Sequence, residues 1–82
     1  MNNNEHKVTV YVKTSSFCGP CMATKKDLTK HGIDYEIFAL EEQPDEVIED
    51  LKTRVGLSAP IVITEQGAWS GYRPDLIETL AA

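Results

Sequence analysis

Residues 7–21 read Lys7-Val8-Thr9-Val10-Tyr11-Val12-Lys13, then Thr14-Ser15-Ser16-Phe17, then Cys18-Gly19-Pro20-Cys21. In the first seven, Val8, Val10 and Val12 share one face and Thr9 and Tyr11 the other. A β-branched run alternating with period two predicts a strand. A short connection follows it. Pro20 then suits the first turn of a helix, where a missing N–H costs nothing. That helix is expected from about Gly19 to about His31. Met22, Ala23 and Leu28 would be its apolar contacts, while Lys25, Lys26, Asp27 and Lys30 face out. Lys30 and His31 suit the negative end of the helix dipole, and Gly32 suits the cap.

Outward from this stretch, Ile33 to Leu40 (IDYEIFAL) reads as a second strand. Asp45 to Val55 reads as a helix with Val47, Ile48, Leu51 and Val55 on one stripe. Pro44, Asp45 and Glu46 fit its start and Gly56 its stop. Pro60 to Thr64 (PIVIT) is a third strand, Glu65-Gln66-Gly67 a tight turn, and Ala68-Trp69-Ser70 a short returning strand. Arg73 to about Leu80 is a last helix, opened by Pro74 and Asp75, that would bury Leu76, Ile77 and Leu80. The order β-α-β-α-β-β-α is α/β. It predicts a right-handed parallel βαβ unit followed by a hairpin and a helix, in a four-stranded mixed sheet flanked by three helices. It resembles the thioredoxin fold in its minimal form. With 82 residues, no repeat and no linker, one domain spanning 1–82 is expected.

The hydrophobic share is 41% and the charged share 26%, ordinary globular usage. No apolar run approaches the ~18 residues of a membrane span. Met1 to Lys7 shows no charged-then-apolar signal pattern, so export is not expected and a cytoplasmic location is. Thirteen acidic against eight basic side chains give a net charge of −5. That balance argues against nucleic acid, whose binding needs a basic face, and against anionic membranes. Protein partners stay open, and a monomer is expected.

The chain has two cysteines. One pair closing so small a gap removes little loop entropy and is a weak staple. In a reducing cytosol a close pair is a redox site or half of a metal site. At a strand–helix junction, unpaired amides and the positive dipole end stabilise a thiolate. Cys18 precedes the first turn and is expected to be the attacking thiolate. Cys21 lies inside it and is expected to be the buried, resolving thiol. Two readings compete with this one. The cysteines are then simply two buried residues at helical spacing, or they bind zinc. Zinc needs two more ligands, and only His6 and His31 are available. No metal is expected.

Ala59-Pro60 opens the third strand, and alone it favours a trans proline. Together with Cys18-Gly19-Pro20-Cys21, however, it resembles the thioredoxin and glutaredoxin superfamily. Trp69-Ser70-Gly71-Tyr72-Arg73-Pro74-Asp75 and Cys21-Met22-Ala23-Thr24-Lys25-Lys26 are similar to segments of the NrdH-redoxins. The likeness runs from Val8 to about Leu80. It implies a cis Pro60 packed against the cysteines, and an Ala59 backbone free to pair with a substrate strand. It implies a dithiol–disulfide oxidoreductase that is reduced by thioredoxin reductase and donates electrons to class Ib ribonucleotide reductase. No bound cofactor is implied: the reversible Cys18–Cys21 disulfide carries the electrons, and NADPH enters only through the reductase. Trp69 and Arg73 would fix the loop before the last helix. The expected partner surface comprises Phe17, Gly19, Pro20, Ala59, Pro60, Trp69, Ser70, Gly71, Tyr72 and Arg73.

The chain departs from that family in two places, both beside Cys18. It carries the thioredoxin pair Gly19-Pro20 between its cysteines, and its connection before Cys18 is longer. The segment Trp69 to Asp75 stands where glutaredoxins hold glutathione with a Gly-Gly…Asp pattern. Plainer readings stand alongside: Trp69 as core, Arg73 as a partner of Asp75 or Glu78, Lys13, Lys25 and Lys26 as surface charges, Tyr11 and Phe38 as strand packing. A general small thioredoxin, a glutathione-dependent glutaredoxin, and a binding module with incidental thiols are the alternative functions.

Overall fold

A computed structural model describes residues 8–81. The polar start at 1–6, its His6, and the first strand residue Lys7 lie outside them. The expected elements are all present in order: β1 Thr9–Val12, α1 Gly19–Lys30, β2 Glu36–Ala39, α2 Asp45–Arg54, β3 Ile61–Thr64, β4 Gly67–Ser70 and α3 Pro74–Ala81, and a 3₁₀ turn not expected from the sequence, Leu40–Glu42, stands between β2 and α2. The sheet order is β2-β1-β3-β4. β1 pairs parallel to β2 and antiparallel to β3, and β3 pairs antiparallel to β4. This is the mixed, four-stranded, three-helix thioredoxin fold.

One sheet face carries the main core. Val8, Val10 and Val12 alternate onto it, joined by Val62 and Trp69, and Cys21, Leu28, Ile77 and Leu80 reach it from α1 and α3. The strand register puts Tyr11, Ile61 and Ser70 together on the opposite face. Tyr11 packs there against Phe38, with ring centroids 6.0 Å apart. The end of α2 meets that face, since a Cβ at Gly56 would stand 3.1 Å from the Ser70 hydroxyl. Of the expected α2 stripe only Leu51 is fully buried, while Val47, Ile48 and Val55 are half-buried.

Beyond shifts of one or two residues at element ends, two features differ from the sequence reading. The ladder of β2 covers only Glu36–Ala39, because β1 offers it four partners ending at Val12–Ala39. Ile33 instead ends α1. Its amide donates to Leu28 O at 2.9 Å and that of Gly32 to Thr29 O at 3.0 Å, with Gly32 at φ 71°. These are the paired bonds of a Schellman stop, with Ile33 and Leu28 both buried in the core beside it. The second difference lies within α1. Cys21 sets the inward phase, so Thr24 and Leu28 follow it at i+3 and i+7, and Met22 is 54% exposed rather than core.

Thr24 is fully buried, and its hydroxyl has no hydrogen-bond partner among the described residues. Burying an unpaired hydroxyl costs about 1–3 kcal/mol, and valine has the same shape without it. Thr24→Val is therefore expected to stabilise the protein by about 1 kcal/mol in urea unfolding. A loss of stability would show that the hydroxyl is satisfied in solution.

Candidate functional site

Every part of the site comes from the end of an element. Cys18 is the N-cap of α1, in extended backbone at φ −133° and ψ 97°. That geometry turns its side chain back over the first turn, where Cys21 N–H donates to Cys18 Sγ at 3.2 Å. An orphan helix amide is thus spent on the sulfur, which favours its anionic form. Cys18 is half-buried, whereas Cys21 is 3% exposed. The two are joined as a disulfide with Cα atoms 5.3 Å apart. The expected contrast in access is present.

The peptide Ala59–Pro60 is cis. Ala59 O lies 4.0 Å from Cys18 Sγ, and Pro60 is buried. The Trp69–Arg73 segment closes over this turn. Gly71 N–H is shared between Pro60 O at 2.7 Å and Ser58 O at 3.0 Å, extending the β3–β4 ladder one step beyond Ile61–Ser70. Gly71 has φ 87°, a conformation that a side chain would strain. Trp69 stands on the core face and is 9% exposed. Its side chain packs into the core and not onto the exposed face expected to meet a partner. Tyr72 O–H donates to Asp27 Oδ2 of α1 at 3.2 Å. Arg73 makes two bonds to Asp75, at 3.1 and 2.9 Å, and its carbonyl accepts from Leu76 and Ile77 to start α3. The paired guanidinium holds the Asp75 carboxyl below its usual range.

Phe17 is 82% exposed, with its ring lying over Gly19, and Pro20 is exposed beside it. Leu57 and Tyr72 are also exposed apolar residues, one on each segment flanking the Ala59–Pro60 turn. The structure thus brings Phe17, Cys18, Gly19 and Pro20 to the Ala59–Pro60 turn and the Gly71 bonded to it, whereas the Tyr72 side chain lies along α1 at Asp27. His31 stands at the far end of α1, with Nε2 3.9 Å from Asp27 Oδ1.

Sequence reading passed over Glu41. Its carboxylate accepts the Thr14 amide at 3.1 Å through each oxygen and the Ser15 amide at 2.9 Å. The Glu41 amide first, then the Ser15 hydroxyl and the Ser15 and Thr14 amides, lower its pKa to about 2 from 4.5. The folded value lies below the unfolded one. The stabilisation is therefore complete above 4.5 and is lost as pH falls through about 2. In an NMR titration the Thr14 and Ser15 amide shifts are expected to follow that low midpoint; a midpoint near 4.5 would mean the carboxylate is not held.

A half-buried thiol at a helix N-cap, a buried second thiol one turn on and the Ala59 carbonyl beside them define a thiol–disulfide oxidoreductase on the thioredoxin fold. Residues 8–66 match the glutaredoxin family model, and the chain belongs to the glutaredoxin family. It is 34% identical to the glutaredoxin-like protein NrdH of Escherichia coli K12 over 90% of this chain and 88% of that one. It is 35% identical to NrdH of Lactococcus lactis subsp. lactis over 90% of this chain and 99% of that one. Its fold is similar to that of the solved NrdH-redoxin from Escherichia coli, with TM-score 0.78, 34% identity, and coverage of 90% of this chain and 93% of that one.

Proposed function

We propose that the chain is a dithiol electron donor, reduced by thioredoxin reductase and delivering electrons to class Ib ribonucleotide reductase. The observation that carries the reading is the Trp69–Arg73 segment. It is bonded through Gly71 to the Ala59–Pro60 turn, in the place where a glutathione site would be built. The similar Escherichia coli protein is described as glutaredoxin-like with a thioredoxin-like activity profile.

The chemistry follows from the two thiols. The Cys18 thiolate attacks a disulfide sulfur of the target, forming a mixed disulfide and releasing one target thiolate, which takes a proton. Cys21 loses its proton and attacks Cys18 Sγ. The second target thiol leaves, and the Cys18–Cys21 disulfide remains. Two electrons and two protons pass to the target. NADPH restores the dithiol through the reductase, so the chain itself needs no bound cofactor and no metal. The Ala59 backbone and the exposed apolar Phe17 and Leu57 offer a docking face for the two proteins. Work with these two partners would fit a cytoplasmic monomer.

The reading is tested by following NADPH oxidation with the oxidised chain and insulin as terminal disulfide. Turnover is expected with thioredoxin reductase and not with glutathione plus glutathione reductase. Turnover confined to the glutathione system would overturn the reading and establish a glutathione-dependent glutaredoxin instead.

A further inference from the structure

The connection that delivers Cys18 to its helix is held from an unexpected place. Among the described residues, no main-chain bond ties Thr14, Ser15 or Ser16 to another segment. Their anchor is a side chain: Glu41 bonds the amides of both Thr14 and Ser15. The parallel register explains how it reaches. Val12 and Ala39 are the last partners of β1 and β2, and both strands run the same way. The residues two further on, Thr14 and Glu41, therefore leave the sheet side by side. The 3₁₀ turn Leu40–Glu42 then keeps Glu41 beside the connection instead of letting the chain run on.

We propose that Glu41 is a positioning residue of the redox site: by clamping the Thr14–Ser15 turn, its carboxylate sets how Phe17 and Cys18 are presented to a protein disulfide. Thr14 and Ser15 lie three and two residues before Phe17, and Phe17 leads directly into the Cys18 cap. Released at Thr14 and Ser15, the connection keeps covalent links to Val12 and to α1 but loses its fixed path. The Phe17 ring, which lies over Gly19 and is otherwise open to solvent, then loses its fixed place there. Charge-assisted bonds to two amides are strong for their size and orient the turn as well as hold it. The Cys18 sulfur keeps its own amide bond from Cys21, which the clamp does not supply. Glu41 thus acts on docking geometry and leaves the intrinsic reactivity of the thiolate alone.

The inference rests on Cys18 being the attacking cysteine, and one set of samples tests both. Wild type, Glu41→Gln and Glu41→Ala are compared, reduced, well below their melting temperatures. Glu41 is exposed, so the variants are expected to fold, which circular dichroism checks. Hydrogen exchange should show the Thr14 and Ser15 amides protected in the wild type and open in Glu41→Ala. Reduction of insulin should slow by about five- to tenfold in Glu41→Ala, as misplacement of a reacting group does. Glu41→Gln, which keeps one carbonyl acceptor, should fall between. Alkylation of Cys18 by iodoacetamide should stay near the wild-type rate in all three. Unprotected amides in the wild type, an unchanged insulin rate in Glu41→Ala, or an alkylation rate that falls in step with it would each overturn the proposal. Peptide mapping of the alkylated wild type separates the two readings. Label on Cys21 first overturns both, whereas label on Cys18 with no effect of Glu41→Ala overturns this one alone.

Discussion

Replacing Cys18 with serine is expected to lower disulfide reduction by at least about three orders of magnitude, because the nucleophile itself is removed. The amide that Cys21 points at the Cys18 sulfur can stabilise a thiolate, but a serine hydroxyl stays protonated near neutral pH and does not attack sulfur. The partner variant should behave differently. Cys21→Ser keeps the attacking group and loses the resolving one, so the reaction should stop at the mixed disulfide. That species would be seen as a covalent adduct by non-reducing electrophoresis or intact mass, and it should release on adding dithiothreitol. The asymmetry follows from position: one sulfur is half-buried on the cap and the other is 3% exposed inside the first turn. Full turnover by Cys21→Ser without added thiol, or reductase activity retained by Cys18→Ser, would contradict these roles. Retained function in Cys18→Ser would instead support a binding module with incidental thiols.

Leu28→Ala is expected to destabilise the protein by about 3 kcal/mol, within the about 2–5 typical of a buried leucine. Leu28 is fully buried on the inner stripe of α1, and its carbonyl also receives the Ile33 amide that ends the helix. A chain of 82 residues has a total stability of only about 4–12 kcal/mol, so this one change removes a large share. The melting temperature should fall by about 15 °C or more. Met22→Ala is the control. Met22 lies six residues earlier on the same helix but is 54% exposed, and its truncation should change stability by less than about 0.5 kcal/mol. Comparable losses for the two variants in urea unfolding would mean that α1 is rotated from the phase described.

That helix phase shows how far local pattern carries. The existence of α1 is written in Pro20 at its start and Gly32 past its end. Which of its residues face inward is not, because Met22 is the more apolar choice and Thr24 the less. The docking of the βαβ unit, through Cys21, decides against composition. The same division runs through the site. The cap position of Cys18, the buried place of Cys21 and the proline that opens β3 are all legible along the chain. Trp69 to Asp75 is legible as a segment, though its tie to Ser58 and Pro60 through Gly71 is not. Glu41 carried no signal at all, since an acidic residue after a strand reads as an ordinary surface charge.

By itself, then, the sequence determined the order of strands and helices, their caps, and a dithiol at a helix N-terminus. Each depends on periodicity and on backbone preferences within a few residues. The tertiary structure alone decided that Ala59 O comes to 4.0 Å from the Cys18 sulfur, that Tyr72 reaches Asp27, and that Glu41 holds the turn before Phe17. These contacts join residues 41, 45, 27 and 26 positions apart. The register of β1 against β2 and β3 brings the cysteine cap, the Ala59–Pro60 turn and Glu41 to the same end of the sheet, and that register is set by burial of one valine face across strands distant in the chain.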